Sequence, residues 1–244
     1  MQIGHTVGAA RRSGAACAGP ATTYPSGVAL PSHPARRGRP AAQDLPTRKA
    51  QLVAVAADVF SRQGYDQTSF AAIAREANVS VKTIYAWFDG KAGLFRAVTD
   101  HFASRIEPAA RALLESDGPP QEALRRTATM AIEFALSPQL LAFQRAVIGA
   151  SAENPAIGGE YNRNGPMRGY AVIGGYLERC HQRGALYVPD VPTAIDVFLG
   201  LIWGDALRMR LIDVAAPPLT SAEVTERARR GAALFIALHA PMGA

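Results

Sequence analysis

The sequence predicts an all-α protein, with a three-helix domain containing a helix-turn-helix near the N-terminus and a longer helical bundle behind it. From residue 46 onward, apolar residues recur at steps of three and four, the period of an amphipathic helix. No stretch alternates between apolar and polar residues for long enough to indicate a sheet. Residues 70–88, FAAIAREANVSVKTIYAWF, have the layout of two short helices joined by a tight turn.

Residues 1–40 are rich in Gly, Ala, Pro, Ser and Arg, and we expect them to form a disordered basic extension. Residues 1–50 contain seven basic residues and one acidic residue, whereas the rest of the chain is balanced, so the net charge of +6 arises here. A basic arm suits a polyanionic partner, although a merely solvated tail would have the same composition. Arg37 and Arg39 are placed to enter a DNA minor groove, where the negative potential is strong.

Residues 41–105 form the predicted helix-turn-helix domain, in which an amphipathic helix precedes the motif. The two helices of the motif are expected at residues 71–77 and 81–88. Asn78 lies at the turn, because Asn tolerates the left-handed backbone conformation. Ser80 is placed to cap the second helix, because its hydroxyl can accept from a free backbone N–H.

The outer face of the second helix is predicted to be polar. Lys82, Thr83 and Tyr85 would be exposed, while Ile84 fills the space between the helices. A helix of this kind can enter the major groove of DNA and contact base edges. The sequence therefore predicts double-stranded DNA as a partner.

Residues 106–244 are expected to form a second, helical domain. A helix that begins at Lys91 is expected to be interrupted at Pro108, because proline disrupts helix interiors. The remaining helices are predicted at residues 121–136, 138–152, 157–183, 192–212 and 221–238.

The last two of these helices carry apolar residues at alternating steps of four and three, the spacing of helices that pack nearly parallel in bundles. Both seams could belong to a four-helix interface between two subunits, or both could face the subunit's own core. Two-fold symmetric recognition of DNA favours the dimer. The predicted interface residues are Ile195, Leu199, Ile202, Ala206, Met209, Val224, Ala228, Gly231, Phe235 and Leu238.

Composition argues against several other classes of protein. Two cysteines are too few for a disulfide framework or a zinc site, which favours a reducing, cytoplasmic location. The most apolar stretch, residues 195–212, contains four charged residues, which argues against a membrane span. The chain has no Gly-rich phosphate loop and no His-Glu-x-x-His run, and we expect no metal, no cofactor and no enzymatic activity.

Residues 36–105 resemble the DNA-binding domain of the tetracycline-repressor (TetR) family of bacterial transcription regulators. Residues 106–244 resemble, more weakly, the helical domain of an AefR-like, AcrR-type subgroup of that family. The N-terminal resemblance rests on Arg37-Gly38-Arg39-Pro40, Ala56, Phe60, Gly64-Tyr65, Thr68-Ser69-Phe70, Ile73-Ala74, Asn78-Val79-Ser80, Thr83-Ile84-Tyr85, Phe88, Lys91 and Leu94-Phe95.

This resemblance implies roles for individual residues. Val81, Lys82 and Tyr85 would face base edges or the neighbouring sugars. Val81 and Ala86 are less polar than the residues usual in the family, which shifts sequence recognition toward Lys82 and Tyr85. Tyr85 and Trp87 could instead be core aromatics. The residues expected at DNA phosphates are Thr83, Trp87 and Lys91, together with Thr68 or Ser69 at a helix N-terminus.

The resemblance also implies a homodimer that binds a palindromic operator and is released from it by a small hydrophobic or amphipathic effector. An effector-independent regulator or activator is an alternative, and an enzyme is a remote one. A cavity among the C-terminal helices would favour the ligand-responsive interpretation. The side chains expected at such a pocket are Phe102, Phe134, Phe143, Arg145, Tyr170, His181, Trp203 and Asp205.

Overall fold

The computed structural model describes residues 44–115 and 118–241. These residues form ten helices and no strand, which confirms the all-α prediction. The helices are α1 (Asp44–Gln63), α2 (Phe70–Glu76), α3 (Val81–Trp87), α4 (Gly90–Leu114), α5 (Pro120–Ala135), α6 (Pro138–Glu153), α7 (Pro155–Asn164), α8 (Pro166–Gln182), α9 (Val191–Ile212) and α10 (Ser221–Leu238).

Serine hydroxyl groups cap both helices of the helix-turn-helix. At the start of α2, Ser69 Oγ accepts from the Ala72 N–H at 3.2 Å. At the start of α3, Ser80 Oγ accepts from the Thr83 N–H at 3.0 Å. Asn78 adopts the left-handed conformation between them, with φ 51°. The predicted turn residue and the predicted Ser80 cap are therefore confirmed.

A first hydrophobic core joins α1–α4 to α6 and α7. Phe60 of α1, Phe95 of α4 and Phe143 of α6 are all fully buried in it. The rings of Phe95 and Phe143 lie with their centroids 5.3 Å apart. Because α4 also runs without a break past residue 105, the helix-turn-helix shares both a core and a helix with the bundle behind it.

Pro108 lies inside α4 and does not end it, contrary to prediction. Its ring nitrogen cannot donate to the Ser104 carbonyl, so one hydrogen bond of the helix is lost. The helix continues because residues on both sides, such as Ala103 and Ala110, are buried against neighbouring helices. Tertiary packing here outweighs the local preference of proline.

The single helix predicted at residues 157–183 is divided into α7 and α8. Gly165 separates them, with φ −115° and ψ −95°, outside the helical region. Pro166 follows as the first residue of α8, where a missing N–H costs nothing. The residue before a proline is disfavoured in the helical conformation, which explains the break.

A second core lies among α4, α5, α8, α9 and α10. Phe198 of α9 and Phe235 of α10 are fully buried there, with their ring centroids 5.3 Å apart. α10 approaches α9 closely at Gly231, where an added Cβ would lie 2.8 Å from Ile202 Cγ2. A larger residue at this position would force the two helices apart.

This packing corrects the predicted dimer interface. Eight of the ten predicted interface residues are buried within the single chain, and only Met209 and Leu238 are exposed. The four-three spacing therefore reflects the packing of α9 and α10 in the subunit's own core. Periodicity identifies a buried face of a helix but does not identify the element that covers it.

Candidate DNA-binding surface and effector cavity

Helix α3 turns one face to the protein and the other to solvent. Ile84 is fully buried in the first core, whereas Lys82 is exposed and Tyr85 is 62% exposed. Val81, in the first turn, is 37% exposed. Spacings of three and four residues place these exposed side chains next to one another on the helix. A cationic, a phenolic and an apolar group together suit the mixed donors, acceptors and methyl groups of a DNA groove.

Two contacts hold this face in place. The ring of Tyr85 packs against the ring of Phe70 at the start of α2. The hydroxyl groups of Ser80 and Thr83 form a hydrogen bond of 2.8 Å at the start of α3. Thr83 is accordingly half-buried with its hydroxyl engaged, while most of the Tyr85 surface remains exposed.

Lys91 lies beside the motif in the first turn of α4. Its Nζ donates to the Asp66 carbonyl oxygen at 3.0 Å and sits 4.6 Å from the centroid of the Tyr65 ring. Burial lowers the pKa of Lys91, and the Asp66 charge partly opposes that shift. Lys91 is thus a cation held in place by the loop before α2. Trp87 is half-buried and packs against the first core, so only part of its ring faces solvent.

Of the two alternatives predicted for a phosphate contact at the start of α2, Thr68 or Ser69, the side chain of Thr68 does not belong to the exposed surface. It is buried, and its hydroxyl donates to the Gly64 carbonyl oxygen at 2.6 Å. This bond closes the loop between α1 and α2. Ser69 is exposed and caps α2. Arg37 and Arg39 lie outside the described residues.

A cavity of about 140 Å³ lies among α4–α9. Four of the predicted pocket residues line it, namely Phe102 of α4, Phe134 of α5, Tyr170 of α8 and Trp203 of α9. The rest of the wall is mainly aliphatic, with a small number of polar groups. A concave apolar space of this kind is typical of a small-molecule site.

Two of the other predicted pocket residues serve the structure elsewhere. Phe143 lies in the first core against Phe95 and Phe102, with ring centroids 5.3 Å and 5.0 Å away. Arg145 donates from Nη1 to the Arg210 carbonyl oxygen at 2.8 Å, which ties α6 to the end of α9. Neither residue lines the cavity, because each faces a different neighbour of α6.

His181 and Asp205 also lie away from the cavity. His181 Nδ1 accepts from the Val188 N–H at 3.2 Å and so fixes the loop after α8. Asp205 forms an exposed ion pair with Arg208, its neighbour three residues along α9. Local partners satisfy both polar groups, and the helical pattern alone did not reveal which way they face.

The two charged residues of the cavity wall pair with each other. Arg168 Nη2 of α8 lies 2.6 Å from Glu107 Oε2 of α4, and Arg168 Nη1 lies 3.3 Å from Asp100 Oδ1 on the same helix. Arg111 Nη2 lies 3.2 Å from the other carboxylate oxygen of Glu107. Burial raises the pKa of Glu107, but hydrogen bonds from Arg111 and Arg168 outweigh it and hold that pKa below its ordinary value. The network ties α4 to α8 at the cavity.

Trp203 lines the cavity directly before a break in α9. The break is at Gly204, with φ 46° and ψ −137°, a conformation that side-chain-bearing residues rarely adopt. Arg227 of α10 donates from Nη1 to the Trp203 carbonyl oxygen at 3.3 Å and so holds the broken segment. Directly after the break, Asp205 is exposed. Gly204 therefore marks the end of the cavity wall on α9.

Neither a membrane span nor a metal site is present in the described ranges. Across residues 44–115 and 118–241, no helix combines the length and apolarity needed to cross a membrane. Over the same residues, no group of three or more His, Cys, Asp or Glu side chains is arranged to hold a metal ion. Cys180, in α8, is a free, fully buried thiol.

The fold and the exposed face of α3 define a helix-turn-helix protein with a partly open cavity in its helical bundle. The family model for bacterial regulatory proteins of the tetR family matches residues 52–98. The model for the C-terminal domain of AefR-like transcriptional repressors matches residues 122–241. The chain belongs to the TetR family and is a DNA-binding transcriptional regulator.

Solved structures share this fold. A protein of Mesorhizobium loti, described as a TetR-family transcriptional regulator, has a TM-score of 0.71 at 22% identity, with 80% of this chain and 98% of that chain covered. The flavonoid-responsive regulator FrrA has a TM-score of 0.59 at 24% identity, with 81% of this chain and 100% of that chain covered. FadR of Bacillus subtilis, in complex with stearoyl-CoA, has a TM-score of 0.63 at 17% identity, with 76% of this chain and 96% of that chain covered. No curated protein shows significant sequence similarity to the chain.

Proposed function

We propose that this regulator is a repressor that binds a palindromic operator as a homodimer and leaves it when a small molecule binds. The exposed face of α3 carries the proposal, because Val81, Lys82 and Tyr85 project together from a capped helix. Lys82 would donate to a guanine, and Val81 would contact a thymine methyl group. Tyr85 would reach a base edge or the adjoining sugar.

We propose three functional parts within the chain. Residues 41–105 would bind DNA, with Ser69 and Lys91 at the phosphates beside α3. Residues 106–244 would bind the effector and form the dimer. Residues 1–40, a basic extension that includes Arg37 and Arg39, would follow the minor groove. A protein with these parts would act in the cytoplasm and would catalyse no reaction.

The proposed dimer interface is the outer face of α9 and α10, in place of the buried seam. Leu234 and Leu238 lie one turn apart on α10 and are 47% and 66% exposed. On α9, Gly200 is exposed, and a Cβ built there would meet nothing within 4 Å, so a second helix could approach closely. Exposed apolar residues in such a group favour association. A two-fold dimer would place two α3 helices in successive major grooves.

The cavity supports an effector-responsive regulator over one that needs no effector. Helix α4 links the two sites, because Leu94 and Phe95 lie in the first core while Phe102 and Glu107 line the cavity. A molecule that binds more tightly when α4 adopts one of two positions would favour that position. The separation of the two α3 helices in the dimer, and with it the affinity for the operator, would then change. Two proteins of this fold are described as flavonoid-responsive and as a complex with stearoyl-CoA, which supports an organic effector.

Selection of bound duplexes from a random pool, with the purified full chain, tests the proposal. We expect an inverted repeat whose half-sites lie about one helical turn apart, because a two-fold dimer reads both halves alike. A scrambled duplex of the same composition, titrated at the same salt concentration, is the control. Enrichment of no sequence, or of a site without internal symmetry, would contradict the proposed function.

A further inference from the structure

Thr127 of α5 differs from three other helical threonines. Thr99, Thr129 and Thr225 each donate the hydroxyl to the carbonyl oxygen four residues earlier, at 3.1, 3.1 and 2.8 Å. The Thr127 hydroxyl is buried and has no hydrogen-bond partner. A buried hydroxyl without a partner is destabilising, and the usual bond within the helix would have removed that cost. The hydroxyl is thus available to another acceptor.

A second unpartnered donor lies on the same cavity wall. The indole Nε1 of Trp203 is buried without a partner, and both Trp203 and Thr127 line the cavity. An indole N–H can only donate a hydrogen bond. Rotation about χ1 can turn the Thr127 hydroxyl toward a molecule bound in the cavity. An acceptor atom on that molecule would then satisfy this hydroxyl and the indole N–H.

The charges on the described cavity wall are already compensated. Arg168 holds Glu107 and Asp100, and Arg111 holds the second oxygen of Glu107. Tyr161, also on the wall, keeps its proton because burial raises its pKa to about 12. A ligand carboxylate or phosphate would therefore have to break an existing ion pair before it gained a cationic partner.

We propose that the cavity is selective for an uncharged, largely apolar molecule with one hydrogen-bond acceptor, a carbonyl or ether oxygen, that receives bonds from the Thr127 hydroxyl and the Trp203 indole N–H. This rests on the proposed effector role of the same cavity. A volume of about 140 Å³ suits a small aromatic molecule. Phe102 and Phe134 offer flat apolar surface to such a molecule. The phosphates of a coenzyme A thioester would find no uncompensated cation on this wall.

Three probes of nearly equal shape test the selectivity by isothermal titration calorimetry with the full chain. Acetylnaphthalene carries a neutral acceptor, isopropenylnaphthalene is its hydrocarbon counterpart, and naphthoate is its anionic counterpart. We expect the ketone to bind about tenfold more tightly than the hydrocarbon, because only the ketone satisfies the buried donors. We expect it to bind about a hundredfold more tightly than the carboxylate, whose charge would lose its hydration without gaining a counter-ion.

Two matched valine variants locate the acceptor. Thr127→Val keeps the side-chain shape and removes the unpartnered hydroxyl, so it should lower the affinity for acetylnaphthalene about tenfold and leave that for isopropenylnaphthalene unchanged. Thr99→Val is the control, because the Thr99 hydroxyl also belongs to a cavity residue but already donates to the Phe95 carbonyl oxygen. It should leave the preference for the ketone intact.

Equal affinity for the three probes, or a preference for naphthoate, would overturn the selectivity and leave an effector cavity in place. An equal effect of the two valine variants on the ketone would overturn the role of Thr127. Binding of none of the probes to the wild-type chain would overturn the selectivity as well. Failure of the random-pool selection would instead count against the proposed DNA-binding function, because that experiment contains no ligand.

Discussion

The ring of Tyr85 packs edge-on against the ring of Phe70, with the centroids 4.9 Å apart and the planes at 83°. Phe70 is the first residue of α2 and Tyr85 lies within α3, so the contact spans the turn of the helix-turn-helix. Edge-to-face pairs of this kind stabilise by about 1 kcal/mol beyond the area that they bury. The contact therefore restrains Tyr85 before any DNA binds, which lowers the entropy cost of binding.

Tyr85→Ala is expected to weaken binding to the selected operator by about tenfold to a hundredfold, because it removes a side chain that is proposed to face the bases. Tyr85→Phe is the matched control, since it keeps the ring contact with Phe70 and removes only the hydroxyl. Fluorescence anisotropy at fixed salt concentration measures both variants on the operator and on a scrambled duplex. A loss of the same size on the two duplexes would show that Tyr85 contacts only the DNA backbone.

Leu234→Arg is expected to convert the proposed dimer to a monomer, because it introduces a like charge from each subunit into the proposed apolar interface. The affinity of this variant for the operator should fall when the dimer is lost. Ile148→Arg is the control, because Ile148 is 58% exposed on α6, outside the proposed interface. Size-exclusion chromatography with light scattering measures the mass of each variant. A Leu234→Arg protein that remains dimeric would contradict the proposed surface.

Deletion of residues 1–40 is expected to lower the slope of log affinity against log salt concentration by about 0.9 for each phosphate that the arm neutralises. Arg37 and Arg39 are the residues expected to contribute most. Replacing both by Gln in the full chain separates their charge from the length of the arm. Titrations over a range of salt concentrations measure the slope. An unchanged slope in both proteins would remove the arm from the DNA interface.

Glu107→Gln is expected to lower the free energy of unfolding near neutral pH by up to about 1 kcal/mol, because the network with Arg168 and Arg111 is partly exposed. The pKa of Glu107 is depressed in the folded protein, so its contribution is present above the ordinary value of 4.5 and is lost as the pH falls through the folded pKa. Urea unfolding at several pH values should therefore show that the difference in unfolding free energy between the wild-type chain and Glu107→Gln becomes smaller at acidic pH. Glu178→Gln, at an exposed site on α8, is the control.

Local features of the helix-turn-helix could be predicted because they depend on adjacent residues. The Ser80 cap and the left-handed Asn78 involve only their immediate neighbours. The break at Gly165 also depends on adjacent residues, because a Gly-Pro pair disfavours helix, but the helical pattern on both sides of the pair predicts a single helix. The continuation of α4 through Pro108, in contrast, depends on the neighbouring helices that bury the residues on both sides of it.

Features that depend on the partners of a helix could not be predicted in this way. The spacing of the seam through Ile202 and Phe235 predicts a buried face, which the structure confirms, but it does not say whether the covering helix belongs to the same subunit. Arg168 and Glu107 are 61 residues apart, and no short motif links them. Thr127 carried no signal either, because its distinguishing property is a hydrogen bond that it does not make.

Duplex selection with Lys82→Ala protein, run beside the wild-type chain, tests most directly whether two copies of α3 read the two halves of one operator. Lys82 would occupy an equivalent place in each half-site. We expect base preference to be lost at one position in each half, related by two-fold symmetry, while preference at the other positions is retained. Unchanged preference throughout the site, or a loss confined to one half, would contradict this arrangement.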